Sequence, residues 1–145
     1  VEVAGVFQLR MAMAWQRVNQ VSEVQPWFLR DTPGFHLIPE VTPRSSEVIC
    51  DKIAMSAFEG TFLNMALRDC GINTVAIVGV ATEVGIEPTV RHATDLGYIP
   101  VIVTDACGAG NEEAAMRSLE SLKFAGDAVM TDVETFCSLL SQKHP

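Results

Sequence analysis

Apolar and polar positions divide the chain into a diffuse first third and a regular remainder. Over residues 1–20, Val3, Phe7, Met11, Trp15 and Val18 recur at spacings of three and four, with Gln8, Arg10, Gln16 and Arg17 largely opposite them. That period predicts one amphipathic helix. Pro26, Pro33, Gly34, Pro39 and Pro43 then break residues 21–46 into a long connection, in which Trp27, Phe28, Phe35 and His36 supply packing mass. From residue 47 short apolar runs alternate with amphipathic stretches. Glu47-Val48-Ile49-Cys50, residues 74–80, residues 99–104 and Ala128-Val129-Met130 read as four strands.

Four helices fall after these runs. Thr61 is placed to cap the first, and Gly71 to end it. The second is expected over 85–96, with Pro88 in its first turn and Gly97 at its end. Asn111 caps the third, whose expected buried face is Ala115, Met116, Leu119 and Leu122 before Gly126 stops it. The fourth starts at Thr131 or Asp132 and runs through Phe136, Leu139 and Leu140. Strand–helix alternation at this period predicts an α/β fold with parallel strands, right-handed crossovers and helices on both faces. An open sheet of four strands leaves an edge and apolar surface to be covered. The whole chain, 1–145, reads as a single domain: a divergent helix and long loop over 1–46, then regular strand–helix units over 47–145.

Composition narrows the partners. An apolar fraction of 48% against 19% charged residues supports a real core. A net charge of −8 with scattered Lys and Arg disfavours nucleic acid and anionic membranes. No apolar run approaches bilayer length, and the first residues lack a signal-peptide pattern. The four cysteines, at 50, 70, 107 and 137, form no C-x-x-C pair. Three of them lie in apolar surroundings and read as small core residues, and the set reads as reduced thiols of a cytoplasmic protein.

Ligands of an open parallel sheet bind at the carboxyl ends of its strands. Three stretches reach that rim: Cys50-Asp51-Lys52 with the segment 56–61, Gly79 to Glu87, and Thr104 to Asn111. Lys52 either points a cation into the crevice or ends a strand as a solvated lysine. Glu83 and Glu87, four apart, form either a carboxylate pair at the mouth or first-turn acids favoured by the helix dipole. Cys107 is either an activated thiolate or a packing cysteine, the latter preferred. Gly108-Ala109-Gly110 is a weak phosphate cradle, since Glu112 and Glu113 would repel a phosphate. His36, His92 and His144 lack metal-ligand spacing. Gly85 stands at a strand-to-helix corner that suits a nucleophile, yet it has no side chain to offer.

Taken together, Lys52, Ser56-Ala57-Phe58, Gly60-Thr61, Gly79-Val80-Ala81-Thr82, Glu87, Thr89, Gly97-Tyr98 and Asp105-Ala106-Cys107 resemble the isochorismatase-like hydrolase family, the cysteine hydrolases. The match runs from about Glu40 to Leu140. The resemblance implies a three-layer αβα sandwich with a mostly parallel open sheet, and homo-oligomers acting on a small molecule without a cofactor. It implies a site built from a first-strand Asp, the Lys matching Lys52 and a Cys at the position of Gly85. The main chain of Val80, Ala81, Thr82 and Gly85 would form an oxyanion hole, with a cis peptide near Val80–Ala81. Phe58, Gly60 and Thr61 would contact substrate.

The sequence departs from that pattern in two places. Gly85 replaces the nucleophile, as in true isochorismatases, which form no covalent intermediate and use the Asp as general acid toward a vinyl ether. No first-strand Asp is present: no Asp precedes Asp31, which sits in a Pro-Gly loop, and the sheet is expected to be shortened at its N-terminal edge. The nicotinamidase metal motif is missing too. The expected function is hydrolysis of a small molecule, of vinyl-ether or other non-amide type, with Lys52 holding the substrate anion or positioning the acid, and the acid coming from residues not present here or from Glu83. The alternatives are an inactive binding or oligomerisation module, and a fragment of a longer enzyme.

Overall fold

The computed structural model describes residues 13–14, 16–25 and 33–142. They belong to two compact units, 1–54 and 55–145.

In the first unit residues 13, 14 and 16 are helical. The rest of the helix expected over 1–20, with Val3, Phe7, Met11 and Trp15, lies outside the described residues, as do Trp27, Phe28 and Asp31. Local polar contacts shape the chain over 16–25. Gln16 Nε2 donates to the Gln25 carbonyl and Gln16 Oε1 accepts from the Gln25 N–H, both at 2.8 Å. The Glu23 carboxylate accepts from the N–H groups of Asn19 and Gln20 at 3.1 and 3.0 Å, capping the 3-10 turn Val21–Glu23. Further 3-10 turns occur at Pro33–Phe35 and Pro39–Val41. The strand expected over 47–50 does not form: the backbone is irregular there, and Val48 and Ile49 are exposed. An isolated extended segment needs a neighbouring strand to satisfy its N–H and C=O groups. Among the described residues this unit contains none.

The second unit carries the regular structure. Helix α1 (Leu63–Asp69) leads into strand β1 (Thr74–Gly79), helix α2 (Glu87–Asp95), strand β2 (Ile99–Cys107), helix α3 (Glu112–Ala125), strand β3 (Val129–Thr131) and helix α4 (Val133–Ser141). All three strands are parallel, in the order β1-β2-β3. Leu122 of α3, Val90 of α2 and Ile102 of β2 have no exposed surface, and with Ile86 they form the main core. Val103, the next residue of β2, points to the opposite face and is buried as well, and α4 packs on this strand. Helices therefore cover both faces of the central strand, giving the three-layer α/β architecture expected. β1 differs from expectation: Val75 and Ile77 are half-buried, but Thr74, Ala76 and Val78 are exposed. Its apolar run is covered on one face only.

Asn111 caps α3 and Asp132 caps α4, as the sequence predicts. At α1 the capping position is Phe62 rather than Thr61 and carries no side-chain cap bond, while Thr61 Oγ1, one residue further out, accepts from the Leu63 N–H at 3.2 Å. Two further details need correction. The segment expected to be helical from 85 begins as a π-helical turn, Thr82–Ile86, and α2 proper starts at Glu87. Met116 is exposed rather than buried, and Ser118 takes the inward place. Ser118 sits at i+3 from Ala115 and i−4 from Leu122, on the same helical face, whereas Met116 lies about 100° away. Its hydroxyl donates to Glu87 Oε2, so a polar partner on α2 selects Ser there.

Candidate active site

β1 and β2 pair in simple register from Thr74↔Ile99 to Ile77↔Ile102, then slip, so that Gly79 faces Cys107. This bulge shifts the upper end of β2 relative to β1 and shapes the rim. Gly79 has φ +118°, a conformation that side chains rarely adopt, and the chain turns there into a cis peptide bond between Val80 and Ala81. The cis bond lies where the family resemblance implied it. From Ala81 the chain winds into the π-helical turn. The Ala81 carbonyl accepts from the N–H groups of Val84, Gly85 and Ile86 at 3.1, 2.8 and 3.2 Å. The Thr82 N–H and hydroxyl both donate to the Gly108 carbonyl, at 2.8 and 2.9 Å. The N–H groups of Val80 and Ala81 have no acceptor among the described residues.

The main-chain set expected to form an oxyanion hole is thus divided. Thr82 and Gly85 spend their N–H groups inside the fold, while Val80 and Ala81 keep theirs available. Gly85 sits within the turn that opens α2, and Thr89 Oγ1 donates to its carbonyl at 2.7 Å.

Glu83 belongs to the same turn and is held as an anion. Its Oε1 accepts from the Asn111 N–H at 2.7 Å. Its own N–H, and then those of Asn111 and Gly110, hold its pKa below the usual carboxylate value against some desolvation. Its Oε2 is shut off from solvent without a partner among the described residues. A carboxyl group fixed in this way is a poor proton donor at neutral pH. Glu83 and Glu87 do not form a carboxylate pair. Glu87 instead pairs with Arg91 at 2.9 Å, and Arg91 also reaches Asp127 at 2.7 Å and Ser121 at 2.8 Å.

Gly108-Ala109-Gly110 is not free to cradle a phosphate. A Cβ at Gly108 would lie 2.6 Å from Val80 Cγ1, and one at Gly110 would lie 2.7 Å from Glu83 Oε1. These glycines let the β2–α3 loop approach the rim turn, and a carboxylate of this chain already occupies the loop's amides. Cys107 is half-buried, with Sγ 3.4 Å from the Val103 carbonyl, and burial pushes its thiol pKa up. It is a packing cysteine, not an activated thiolate. The core assignment of the other cysteines is corrected: Cys70 and Cys137 are exposed, and Cys50 is half-buried. Among the described residues no group of three His, Cys, Asp or Glu side chains could hold a metal ion.

The segment expected to contact substrate is held by packing and hydrogen bonds within the second unit. Phe58 is buried, stacked on Tyr98 at 5.6 Å between centroids and against Ala93, Leu63 and Leu67. Thr61 Oγ1 donates to the Ala57 carbonyl at 2.6 Å, and Gly60 takes a left-handed turn at φ +68°. The preceding residues dock the segment on α2. Ala57 N–H donates to Thr89 Oγ1 at 3.0 Å, and Ser56 Oγ lies 3.0 Å from His92 Nδ1. The signal for this packing was the apolar spacing Phe58, Leu63, Leu67. Lys52 belongs to the first unit, where its ammonium donates to the Ala54 carbonyl at 2.8 Å and partial desolvation lowers its pKa.

Comparison with known proteins bears on the family and the fold. The family model for the isochorismatase domain matches residues 2–135. The ureidoacrylate amidohydrolase RutB of Klebsiella pneumoniae is 32% identical over 115 residues, covering 77% of this chain and 47% of the relative. An isochorismatase family protein from Desulfovibrio vulgaris has a structure that superposes with a TM-score of 0.75 at 28% identity, over 83% of this chain and 63% of that one. The nicotinamidase of Staphylococcus aureus superposes with a TM-score of 0.54 at 31% identity, over 56% and 52%. The chain spans under half the length of the curated relatives it matches. With the family model matching residues 2–135 and a solved isochorismatase family protein superposing over 83% of the chain, the chain belongs to the isochorismatase-like hydrolase family.

Proposed function

We propose that this chain hydrolyses a small molecule that carries, or develops, a negative charge at the Val80–Ala81 corner. The observation that carries the reading is the pair of N–H groups at that corner with no acceptor among the described residues, on a turn otherwise internally bonded. Such preorganised donors stabilise an oxyanion without reorganisation. Gly85 supplies no thiol, and Cys107 is half-buried with its thiol pKa pushed up by burial, so neither position offers an activated thiolate for a covalent thioester route. A non-covalent hydrolysis of vinyl-ether or other non-amide type needs no thiol, unlike the amide chemistry in the names of several relatives, and its proton has to come from solvent or a donor other than the ionised Glu83. From the family resemblance alone, Lys52 is assigned an anion of the substrate. The test measures turnover of isochorismate and of simple amides, then repeats it with Lys52→Ala. Turnover of the vinyl ether alone, lost in the variant, is expected. Equal turnover in the variant overturns the assignment.

A second reading, a non-catalytic binding or oligomerisation module, is favoured by one observation: the rim acid Glu83 is held ionised. Without a general acid the rate falls by roughly 10²–10⁴. Absence of turnover, together with an oligomer that light scattering still detects on dilution, would select this reading.

A further inference from the structure

Helix α3 is capped in an incomplete way. The Asn111 side chain accepts from the Ala114 N–H at 2.9 Å, which is half of a capping box. The reciprocal half needs Glu or Gln at the third helical position, reaching back to the N–H of the capping residue. That position is Ala114, which has no acceptor. The Asn111 N–H is met instead by Glu83 Oε1, at 2.7 Å, from a turn 28 residues earlier.

We propose that Glu83 is a positioning residue, whose carboxylate completes the α3 capping box from the rim turn and thereby fixes the Val80–Ala81 corner against the β2–α3 loop. Three further contacts converge on the same junction. The Thr82 N–H and hydroxyl bind the Gly108 carbonyl, and the Gly108 N–H binds the Gly79 carbonyl at 2.9 Å. Gly110 leaves room for the carboxylate that a Cβ would obstruct. The N–H groups of Gly110 and of Glu83 itself keep that carboxylate ionised. The corner's available N–H groups thus take their orientation from a helix start across the rim. This inference rests on the proposed function only in taking that corner as the substrate contact.

A local cap separates positioning from helix stability. Ala114→Gln supplies the reciprocal acceptor within α3 and on its own is expected to leave activity unchanged. Glu83→Ala is expected to lower both the Tm and kcat, the latter by about tenfold or more, as small misplacements of reacting groups do. The double variant Glu83→Ala/Ala114→Gln is expected to regain the Tm while kcat stays low with KM little changed. In amide NMR spectra of the double variant, the resonances of residues 111–115 should return toward wild type while those of Ala81 and Thr82 stay displaced. Recovery of both kcat and the Ala81 resonance would overturn the proposal, leaving Glu83 as a helix cap only. If the wild type turns over no substrate, the proposed function fails and the NMR comparison still decides this inference. Should Glu83→Ala not fold, Glu83→Gln keeps an acceptor but removes the charge. The Asn111 amide shift, expected to titrate in acid in wild type, should then stop titrating, and titration persisting in this variant overturns the contact.

Discussion

At the scale of residues, the rim depends on a few close approaches. Gly110 and Gly108 both face groups of the 80–83 turn at distances a Cβ could not hold, but the obstacles differ. Val80 is exposed and its side chain can rotate, whereas the Glu83 carboxylate is tied to backbone N–H groups. Gly110→Ala should therefore lower the Tm by several degrees and Gly108→Ala by less, a contrast that parallel thermal melts would read. Thr82 is buried, and its hydroxyl shares the Gly108 carbonyl with its own N–H. Thr82→Val removes one of two donors and should cost about 1 kcal/mol in urea unfolding. Little of this is legible in the sequence. Glu83 and Asn111 stand 28 residues apart, and a main-chain N–H that lacks an acceptor has no signature in side-chain identity. Gly85 is legible, because the absence of a side chain is itself written in the sequence.

At the scale of elements, α2 and α3 are joined to β2 by one shared core. Leu122 has no exposed surface and packs with Ile86, Val90 and Ile102. Leu122→Ala should cost about 2–5 kcal/mol in denaturant unfolding, with the upper end expected if the cavity does not collapse. Helix α4 starts under two acids: Asp132 accepts from the Thr135 N–H at 2.7 Å, and Asp105 accepts from the Val133 N–H at 2.9 Å. The Thr135 N–H holds the Asp132 pKa below its ordinary value. A carboxylate whose pKa is lower when folded stabilises the fold above its unfolded pKa, and that stability is lost as pH falls through the folded value. Asp132→Asn should therefore be less stable than wild type at pH 7, and the gap should narrow as urea melts are taken to strongly acidic pH. These helices are readable because caps are local, with donor and acceptor only a few residues apart. The strand expected over 47–50 is misread, because a strand exists only with a neighbour, and local apolar content does not supply one.

At the scale of the whole molecule, the two units differ in how they hold together. No described residue of the first unit is buried, and Leu37, Ile38, Val41, Val48 and Ile49 are exposed. The second unit has two buried clusters and a three-stranded ladder. Amide hydrogen exchange should find its slowest amides in β2 and α3, while amides over 33–54 exchange orders of magnitude faster. Protection over 33–54 equal to that of β2 would contradict this account. The sequence by itself determined the α/β class, the parallel order implied by strand–helix alternation, the caps of α3 and α4 and the lack of a nucleophile at 85. Each of these follows from periodicity or from one residue's chemistry, which act over a few positions. Only the tertiary structure decided that Phe58 stacks on Tyr98, that the Glu83 carboxylate accepts from the Asn111 N–H, and that the N–H groups of Val80 and Ala81 lack an acceptor among the described residues. Those outcomes depend on which segments meet across the rim, and hydrogen bonds between distant main-chain groups form only once the sheet has brought them there.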